Sequence, residues 1–298
     1  MKRALSISIG SSERDHKVEA ELLGQRVSIE RTGTDGDIDK ASRLYSELDG
    51  QVDAFGVGGT DLYLRVGDRW YPFRRMHRMV SGAKKTPVVD GAGVRRAVER
   101  QIMQFVEKEM GTAISPKTCL VTVACDRYDM AQSAVAAGYE TVFGDLMFGL
   151  GVDIPLHSMR AVHRVARVLC PIVTRLPFEW LYPTGAKQSE HVPKWSKYYH
   201  WASVIAGDFH YIKRHILPDM TGKVIVTNTT TSADLDLLRE CNVAYLVTTT
   251  PRLEGRTFGT NAMEAALIAL SGKGRPLSDA EIQDMLTQLH YTPTIVKL

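Results

Sequence analysis

The sequence predicts an α/β protein, with an N-terminal mixed α/β domain and a C-terminal Rossmann-like, doubly wound parallel sheet. Three observations carry this. From Lys117 onward, short apolar runs (CLVTVA, ETVFGD, SVIAGD, KVIVTN, VAYLVTT) alternate with helical spacings. Continuous Val/Ile strands separated by helices belong in a parallel sheet covered on both faces. Leu120 to Asp145 reads strand, turn, helix, strand, with an acid closing the second strand. That is the outline of the first half of a dinucleotide-binding unit. Residues 1–113 lack this rhythm and mix hairpins with helices, so the expected domains are 1–113 and 114–298.

Within the first domain, RALSISI alternates as a strand, and EAELLGQRVSIER is a hairpin around Gly24. DIDKASRLYSELDG has helical spacing, with Asp35 or Asp37 as its cap and Gly50 as its stop. VDAFGVGG is a buried strand, and DLYLRVGDRWYPFR turns at Gly67-Asp68. A short helix follows around Met76 to Ala83, then TPVVDGAG as strand and loop. VRRAVERQIMQFVEKEMG predicts one long amphipathic helix, with Val94, Val98, Ile102, Phe105 and Val106 near one face. In the second domain, helices are expected at DMAQSAVAA, SMRAVHRVARVL, FHYIKRHI and ADLDLLREC. LSDAEIQDMLTQL is a capped helix that could pack back on the first domain. A long Pro-, aromatic- and Lys-rich segment after Cys170 reads as a functional loop whose middle can carry short helices, with Glu179, Tyr182 and Lys187 as candidates for a lid over a polar substrate or equally as surface residues.

Composition excludes several classes. A net charge of +3 over 298 residues is too weak to argue for a nucleic-acid partner. The basic, aromatic run RWYPFRRMHRM reads as a solvated hairpin and helix start. No apolar run is long enough for a bilayer, and MKRALSISIGSS lacks the apolar core of a signal peptide. A cytoplasmic protein is expected. Four scattered cysteines without a CxxC pair point to reduced thiols, not a metal cage or disulfide framework. His157 and His163, and His210 and His215, lack the i, i+4 spacing of a zinc protease, so no metal is expected. The expected partner is a small polar metabolite, with a homo-oligomer left open.

The turn ACDRYDM raises a conflict. A dinucleotide turn holds glycines so that the backbone reaches the pyrophosphate, and an acid about 20 residues on takes the ribose. Asp145 sits at that offset, but the turn carries Asp126 and Asp129 in place of glycines. Carboxylates there repel phosphates. Asp126 can instead cap the helix, and Arg127 offers a displaced phosphate a partner. S-adenosylmethionine, which carries no phosphate, tolerates an acidic turn better. Downstream, Gly207 and Asn228 end two strands where a nicotinamide ring would lie, and Thr249 ends a third. The threonines can equally be β-branched strand residues.

Further candidates lie in other loops. Ser11, Ser12 and Arg14 follow the first strand and form a candidate cup for a carboxylate. Gly91 and Gly93 open a helix bearing Arg95 and Arg96, a second anion candidate or an ordinary cap. Lys84 or Lys85, a few residues before Asp90, can pair with it to move a hydroxyl proton. RLEGRTFGTN places Arg252, Arg256 and Asn261 in a site-like loop.

The segments RALSISIGSSERDHKVEAELLGQRVSIERTGTDGD, GGTDLYL, KKTPVVDGAG, TRLPFEWLYPTGAKQ and LVTTTPRLEGRTFGTNAMEA resemble a bacterial family labelled quinate 5-dehydrogenase, nearly end to end. The resemblance implies cytoplasmic NAD(P)-linked oxidation of a hydroxyl on a cyclitol carboxylate. It implies that Ser11, Ser12 and Arg14 hold the carboxylate, that Lys85 with Asp90 handles the proton, and that Asp145 holds the ribose. The family carries glycines in the turn where this chain has Ala124 and Asp129. Three functions therefore stand side by side. They are an NAD- or NADP-dependent dehydrogenase of the quinate/shikimate type, an S-adenosylmethionine-dependent methyltransferase or similar enzyme, and a non-catalytic metabolite-binding protein.

Overall fold

The computed structural model describes residues 1–176, 191–250, 252–253, 256–257 and 259–298, with 252–253 and 256–257 as backbone only. Glu179, Tyr182 and Lys187 lie outside the described residues. In chain order the elements begin with β1 (Lys2–Ser8), β2 (His16–Leu22), β3 (Gln25–Gly33), α1 (Ile38–Glu47), β4 (Ala54–Gly58), β5 (Tyr63–Val66), β6 (Arg69–Pro72), α2 (Arg74–Met79), β7 (Val88–Val89) and α3 (Ala92–Glu99). They continue with α4 (Ile102–Met110), β8 (Thr118–Val121), α5 (Tyr128–Ala136), β9 (Glu140–Phe143), α6 (Asp145–Leu150), α7 (Met159–Val173), α8 (Ser196–Trp201) and β10 (Val204–Ala206). The last are α9 (Phe209–His215), β11 (Val224–Thr227), α10 (Ser232–Glu240), β12 (Tyr245–Thr248), β13 (Arg252–Leu253), β14 (Arg256–Thr257), α11 (Thr260–Ser271), α12 (Asp279–Gln288) and β15 (Thr294–Lys297).

The chain forms two compact units, and they do not follow the expected 1–113 and 114–298 division. Unit 1 is Met1–Tyr63, Pro72–Ala97 and Arg252–Tyr291, and unit 2 is Leu64–Tyr71, Val98–Pro251 and Thr292–Leu298. Two physical causes move the boundary. The expected long helix breaks between α3 and α4, where Gln101 takes φ −115° and ψ 3°. The helix NAMEAALIALS is apolar around its whole circumference, so it needs a core on every side. As α11 it buries every residue from Ala262 to Leu270, packed on β1, β3 and β4 of unit 1.

Unit 1 is a five-stranded sheet in the order β2-β3-β1-β4-β7, parallel except for β2. β2 alternates exposed Lys17, Glu19 and Glu21 with more sheltered neighbours, as an edge strand with one wet face does. β4 is buried throughout. Asp37 caps α1 by accepting from the Lys40 amide at 2.8 Å, which leaves Asp35 free for another role. On the inward face of α1, Tyr45 is fully buried and its hydroxyl donates to the carbonyls of Ile7 and Gly56, each at 3.2 Å.

Unit 2 is a six-stranded sheet in the order β15-β12-β11-β10-β8-β9. All strands are parallel except β15, an antiparallel edge on β12. Its five parallel strands and their helices fall where the Val/Ile runs predict. Alternate strand residues feed two cores. Cys119, Val121, Val204, Ala206 and Val226 meet α4, α5 and α7 on one face, while Leu120, Ile205, Ile225 and Leu246 meet α6, α8, α9 and α10 on the other. The sheet is therefore doubly wound. Strand order reverses between β8 and β10, and the crevice beyond the carboxyl ends of those strands is the default ligand position of this architecture.

Candidate functional sites at the strand ends

At the reversal point of unit 2 the predicted residues come together, but each is engaged by the protein itself. The loop leaving β8 presents the amides of Ala124 and Cys125, where a pyrophosphate would bind. Both donate to Asp145, at 3.1 and 2.8 Å. Asp145 is only 7% exposed, and burial holds its carboxyl above the usual carboxylate range. This corrects the ribose assignment: Asp145 closes the turn from inside. The physical reason is that buried backbone donors need an acceptor, and a turn without glycines brings in a side chain to supply one.

Asp126 does not cap α5. It faces Arg127 Nε at 3.3 Å, and the buried Arg127 guanidinium also reaches Glu99 and Asp208. Asp129 is ion-paired with Arg100 at 2.9 Å and Arg65 at 3.8 Å. Asn228 is held at both ends of its amide: Nδ2 donates to Asp208 at 2.8 Å, and Oδ1 accepts from the Phe209 amide at 3.3 Å. Thr249 is buried and extends the ladder by donating its amide to Thr227 O at 2.9 Å, the strand role left open for it.

Gly207 has the small size expected of it, but the space beside it is taken. Its φ is +144°, and a Cβ there would lie 2.0 Å from the Thr122 hydroxyl oxygen. Thr122 is fully buried, and its hydroxyl makes no hydrogen bond among the described residues. Gly207→Ala is expected to cost roughly 2–3 kcal/mol, from backbone strain and overpacking. Urea unfolding tests this. Adding Thr122→Ala should recover the overlap but not the backbone share, and full recovery would show that φ is not limiting.

In unit 1 the carboxyl ends of β3, β1, β4 and β7 carry a polar row. Arg31 is the centre of its first half, and it was missed in the sequence. Its guanidinium donates to Ser11 O at 2.9 Å, Asp15 at 2.8 Å and the Ser8 hydroxyl at 3.0 Å. Burial and then the nearby Arg14 hold the Arg31 pKa below its ordinary value. Arg14 is exposed. Ser12 gives its amide to Asp35 at 2.7 Å, and Ser11 Oγ accepts from the Glu13 amide at 3.2 Å. Arg14 and Arg31 thus lie in this region together with Ser11 and Ser12, but the Ser12 amide and the Ser11 hydroxyl oxygen are already engaged by Asp35 and by the Glu13 amide.

Asp90 lies at the other end of the row. It is half-buried and accepts from the amides of Leu62 at 2.7 Å and Ala92 at 3.0 Å. Burial, then the neighbouring Asp61, raises its carboxyl above the usual range, against the pull of Arg95. Arg95 itself binds Asp61 at 2.9 Å. Lys85 is not its partner. That side chain is exposed and makes no ion pair among the described residues, while its backbone amide donates to Asp49 at 3.0 Å. Lys84 is exposed too, with its amide on the same carboxylate at 2.9 Å. Three amides in a row fix the loop on Asp49 and turn it away from a lysine–aspartate pair.

The glycine loop before α3 is an ordinary cap filled from within. Glu264, a lone acid in the apolar α11, accepts from the amides of Gly93 at 2.8 Å and Val94 at 3.3 Å. Burial, then Asp90, pushes Glu264 up to about 7. A single charge in an apolar helix is a readable signal, since such groups are rarely buried without partners. Asn261 is a packing residue, not a substrate ligand. Its amide donates to the buried Ser6 hydroxyl at 2.5 Å, and its backbone closes on Gly91, where a Cβ would lie 2.3 Å from the Asn261 nitrogen. The side chains of Arg252 and Arg256 lie outside the described residues. Among the described residues no group of three or more His, Cys, Asp or Glu side chains could hold a metal. No described helix is long and apolar enough to cross a membrane.

Residues 93–298 match the model of a family described as Domain of unknown function (DUF8754), and residues 3–90 match Domain of unknown function (DUF8753). No curated protein matches the sequence. Among solved structures, one provisionally described as a malic enzyme (malate oxidoreductase) is 13% identical with a TM-score of 0.33, over 86% of this chain and 61% of that one. This chain therefore spans less than two thirds of that protein. The NAD-dependent malic enzyme from Thermotoga maritima is 12% identical with a TM-score of 0.34, over 96% of this chain and 83% of that one. A Mycobacterium smegmatis protein in complex with β-D-fucofuranose is 12% identical with a TM-score of 0.34, over 98% of each chain. At these scores the likeness establishes neither a shared activity nor a shared ligand, and none of these matches concerns quinate.

Proposed function

We propose, for a chain that belongs to the family described as Domain of unknown function (DUF8754) by its match over residues 93–298, an enzyme that moves a proton on a hydroxyl of a small polar acid, of the NAD(P)-linked oxidoreductase class. The observation that carries this reading is Asp90. A half-buried carboxyl at a strand end of a parallel sheet, held above the usual carboxylate range by burial and by Asp61, is suited to a proton-transfer role. Arg14 and Arg31, on the same row of strand ends, suit the acid group of the substrate. A cyclic hydroxy acid such as quinate fits the same chemistry and the resemblance noted above.

The nicotinamide part of the reading draws support from the doubly wound sheet and its reversal point between β8 and β10. The β8 turn argues against it. Its amides are satisfied by Asp145, so the residues there do not fit a dinucleotide pyrophosphate, and no hydride step follows from this turn. That same observation favours a second reading, metabolite binding without redox chemistry.

The two separate in one assay. The protein is given NAD or NADP with a panel of hydroxy acids including quinate and shikimate, and reduced nicotinamide is followed by absorbance. Turnover is expected, and Asp90→Asn is expected to lower it at least 100-fold, the order typical of a lost general base. The variant should keep the thermal-midpoint shift caused by the acid. Turnover unaffected by Asp90→Asn removes Asp90 from the chemistry. A midpoint shift from a metabolite, with no turnover on either nucleotide, establishes the second reading. A shift from S-adenosylmethionine alone points to a transferase.

A further inference from the structure

Exposed apolar side chains in unit 2 gather in one stretch of chain. Leu150, Val152 and Ile154 are exposed in the segment that leads into α7. On α7 itself Val168 is 63% and Ile172 54% exposed, and Leu176 continues the four-residue spacing just past its end. Residues four apart line one side of a helix. This outer stripe is separate from the buried one of Val162, Ala166 and Cys170. Arg160, Arg164 and Arg167 are exposed on the same helix, and Arg175 just beyond it. A rotation of about 100° per residue puts the three helical arginines along one flank of the outer stripe. None of the four arginines makes an ion pair among the described residues. Residues 159–176 hold no acid, and Asp153, the one acid in 150–176, is paired with Lys197 at 2.9 Å.

We propose that α7 and the segment before it form a docking face for an anionic lipid bilayer, on which the helix lies without crossing. The 15 residues of α7 extend about 22 Å, short of the roughly 30 Å hydrocarbon core. A helix with an apolar stripe beside a basic flank suits the headgroup boundary instead. There the aliphatic side chains leave water, and the guanidinium groups meet headgroup phosphates and carboxylates. The charge selects the partner. An arginine row with no acid to neutralise it favours an anionic surface. A second copy docked about a two-fold axis presents the same patch, which sets that row against itself. A dissolved polyanion matches the arginines but leaves the aliphatic stripe in water. The inference is independent of the function proposed above.

The test is co-sedimentation of the full-length chain with vesicles of phosphatidylcholine, alone or mixed with phosphatidylserine. Sedimentation is expected with the mixed vesicles only, and it should weaken as salt is raised. Each arginine near an anionic surface is worth about five-fold in affinity, so Arg164→Glu with Arg167→Glu should weaken binding by about 25-fold or more. Val168→Ser with Ile172→Ser should weaken it by about ten-fold. These four side chains are exposed, so both double variants should keep the native unfolding midpoint. Arg26→Glu, a charge reversal in unit 1, should bind as the native chain does. A native chain that stays in the supernatant with both vesicles overturns the proposal, and this readout needs no variant. Binding that survives both double variants also overturns it. So does binding lost with salt and with the arginine variant but kept by the serine variant, which assigns the arginines to a soluble acidic partner. A native dimer that the serine variant dissociates assigns the face to a second copy and overturns it too.

Discussion

Asp145→Ala is expected to create an anion site that the native chain keeps closed: inorganic pyrophosphate should raise the unfolding midpoint of the variant and leave the native protein unmoved. The native carboxylate takes the Ala124 and Cys125 amides at 3.1 and 2.8 Å. Removing it leaves two buried donors unsatisfied, at a cost of about 1–3 kcal/mol each. Relief of the carboxylate's own burial offsets part of that, so a net loss of roughly 2–4 kcal/mol is expected without ligand. Pyrophosphate at ten times its dissociation constant would return about 1.4 kcal/mol. Asp145→Asn keeps an acceptor in place and should lose less stability while gaining no pyrophosphate response. Calorimetry on the three proteins decides the matter. If the native chain binds pyrophosphate or NAD and Asp145→Ala loses that binding, the carboxylate is a ligand-binding group after all and the closed-turn account fails.

The second large effect is on pH. Glu264 is raised from its usual 4.5 to about 7, chiefly by burial and then by Asp90. The folded state therefore prefers the protonated acid. Its contribution to stability is complete below about pH 4.5 and drains away as pH climbs to about 7. The difference amounts to roughly 3 kcal/mol at one pKa unit per 1.36 kcal/mol. Asp90 and Asp145 are shifted in the same direction and add to the slope. Glu264→Gln cannot ionise. Its urea midpoint should change much less over this range, and above the upper limit it should equal or exceed that of the native chain. A native profile that is flat across the window, or a glutamine variant with the same slope, would show that Glu264 titrates normally.

The strands of unit 2 were legible because strands buried on both faces need apolar side chains pointing both ways, which leaves the Val/Ile runs of β8, β10, β11 and β12. Hairpins at Gly24 and Gly67 were legible for a local reason, since both glycines hold positive φ. The break between α3 and α4 was not, because the apolar spacing runs on through Arg100 and Gln101 while the two halves pack in different units. Nor was β15, whose TIVK has no pattern beyond an available edge on β12. The site was legible as a set of strand-end positions and illegible in its pairings. Asp145 follows β9 and opens α6, but the partner of a carboxylate is chosen by tertiary approach, here from amides 20 and 21 residues away. Lys85 and Asp90 are close in sequence, which suggests a pair, yet Asp49 claims the backbone at Lys85 and Thr86. Arg31 and Asp208 carried the same strand-end signature as Asp145 and could have been chosen by it.

The placement of α11 bears on how the protein is made. Its apolar surface covers β1, β3 and β4, strands that leave the ribosome long before it does. At elongation rates of about 5–20 residues per second, the delay between β7 and α11 is roughly 10–30 s. Throughout that interval the nascent sheet carries a greasy, unroofed flank, and a message cut short anywhere in the middle would yield a product that never acquires its cover. Burial of that flank therefore waits on the synthesis of α11 and is completed by a late collapse of the sheet onto it.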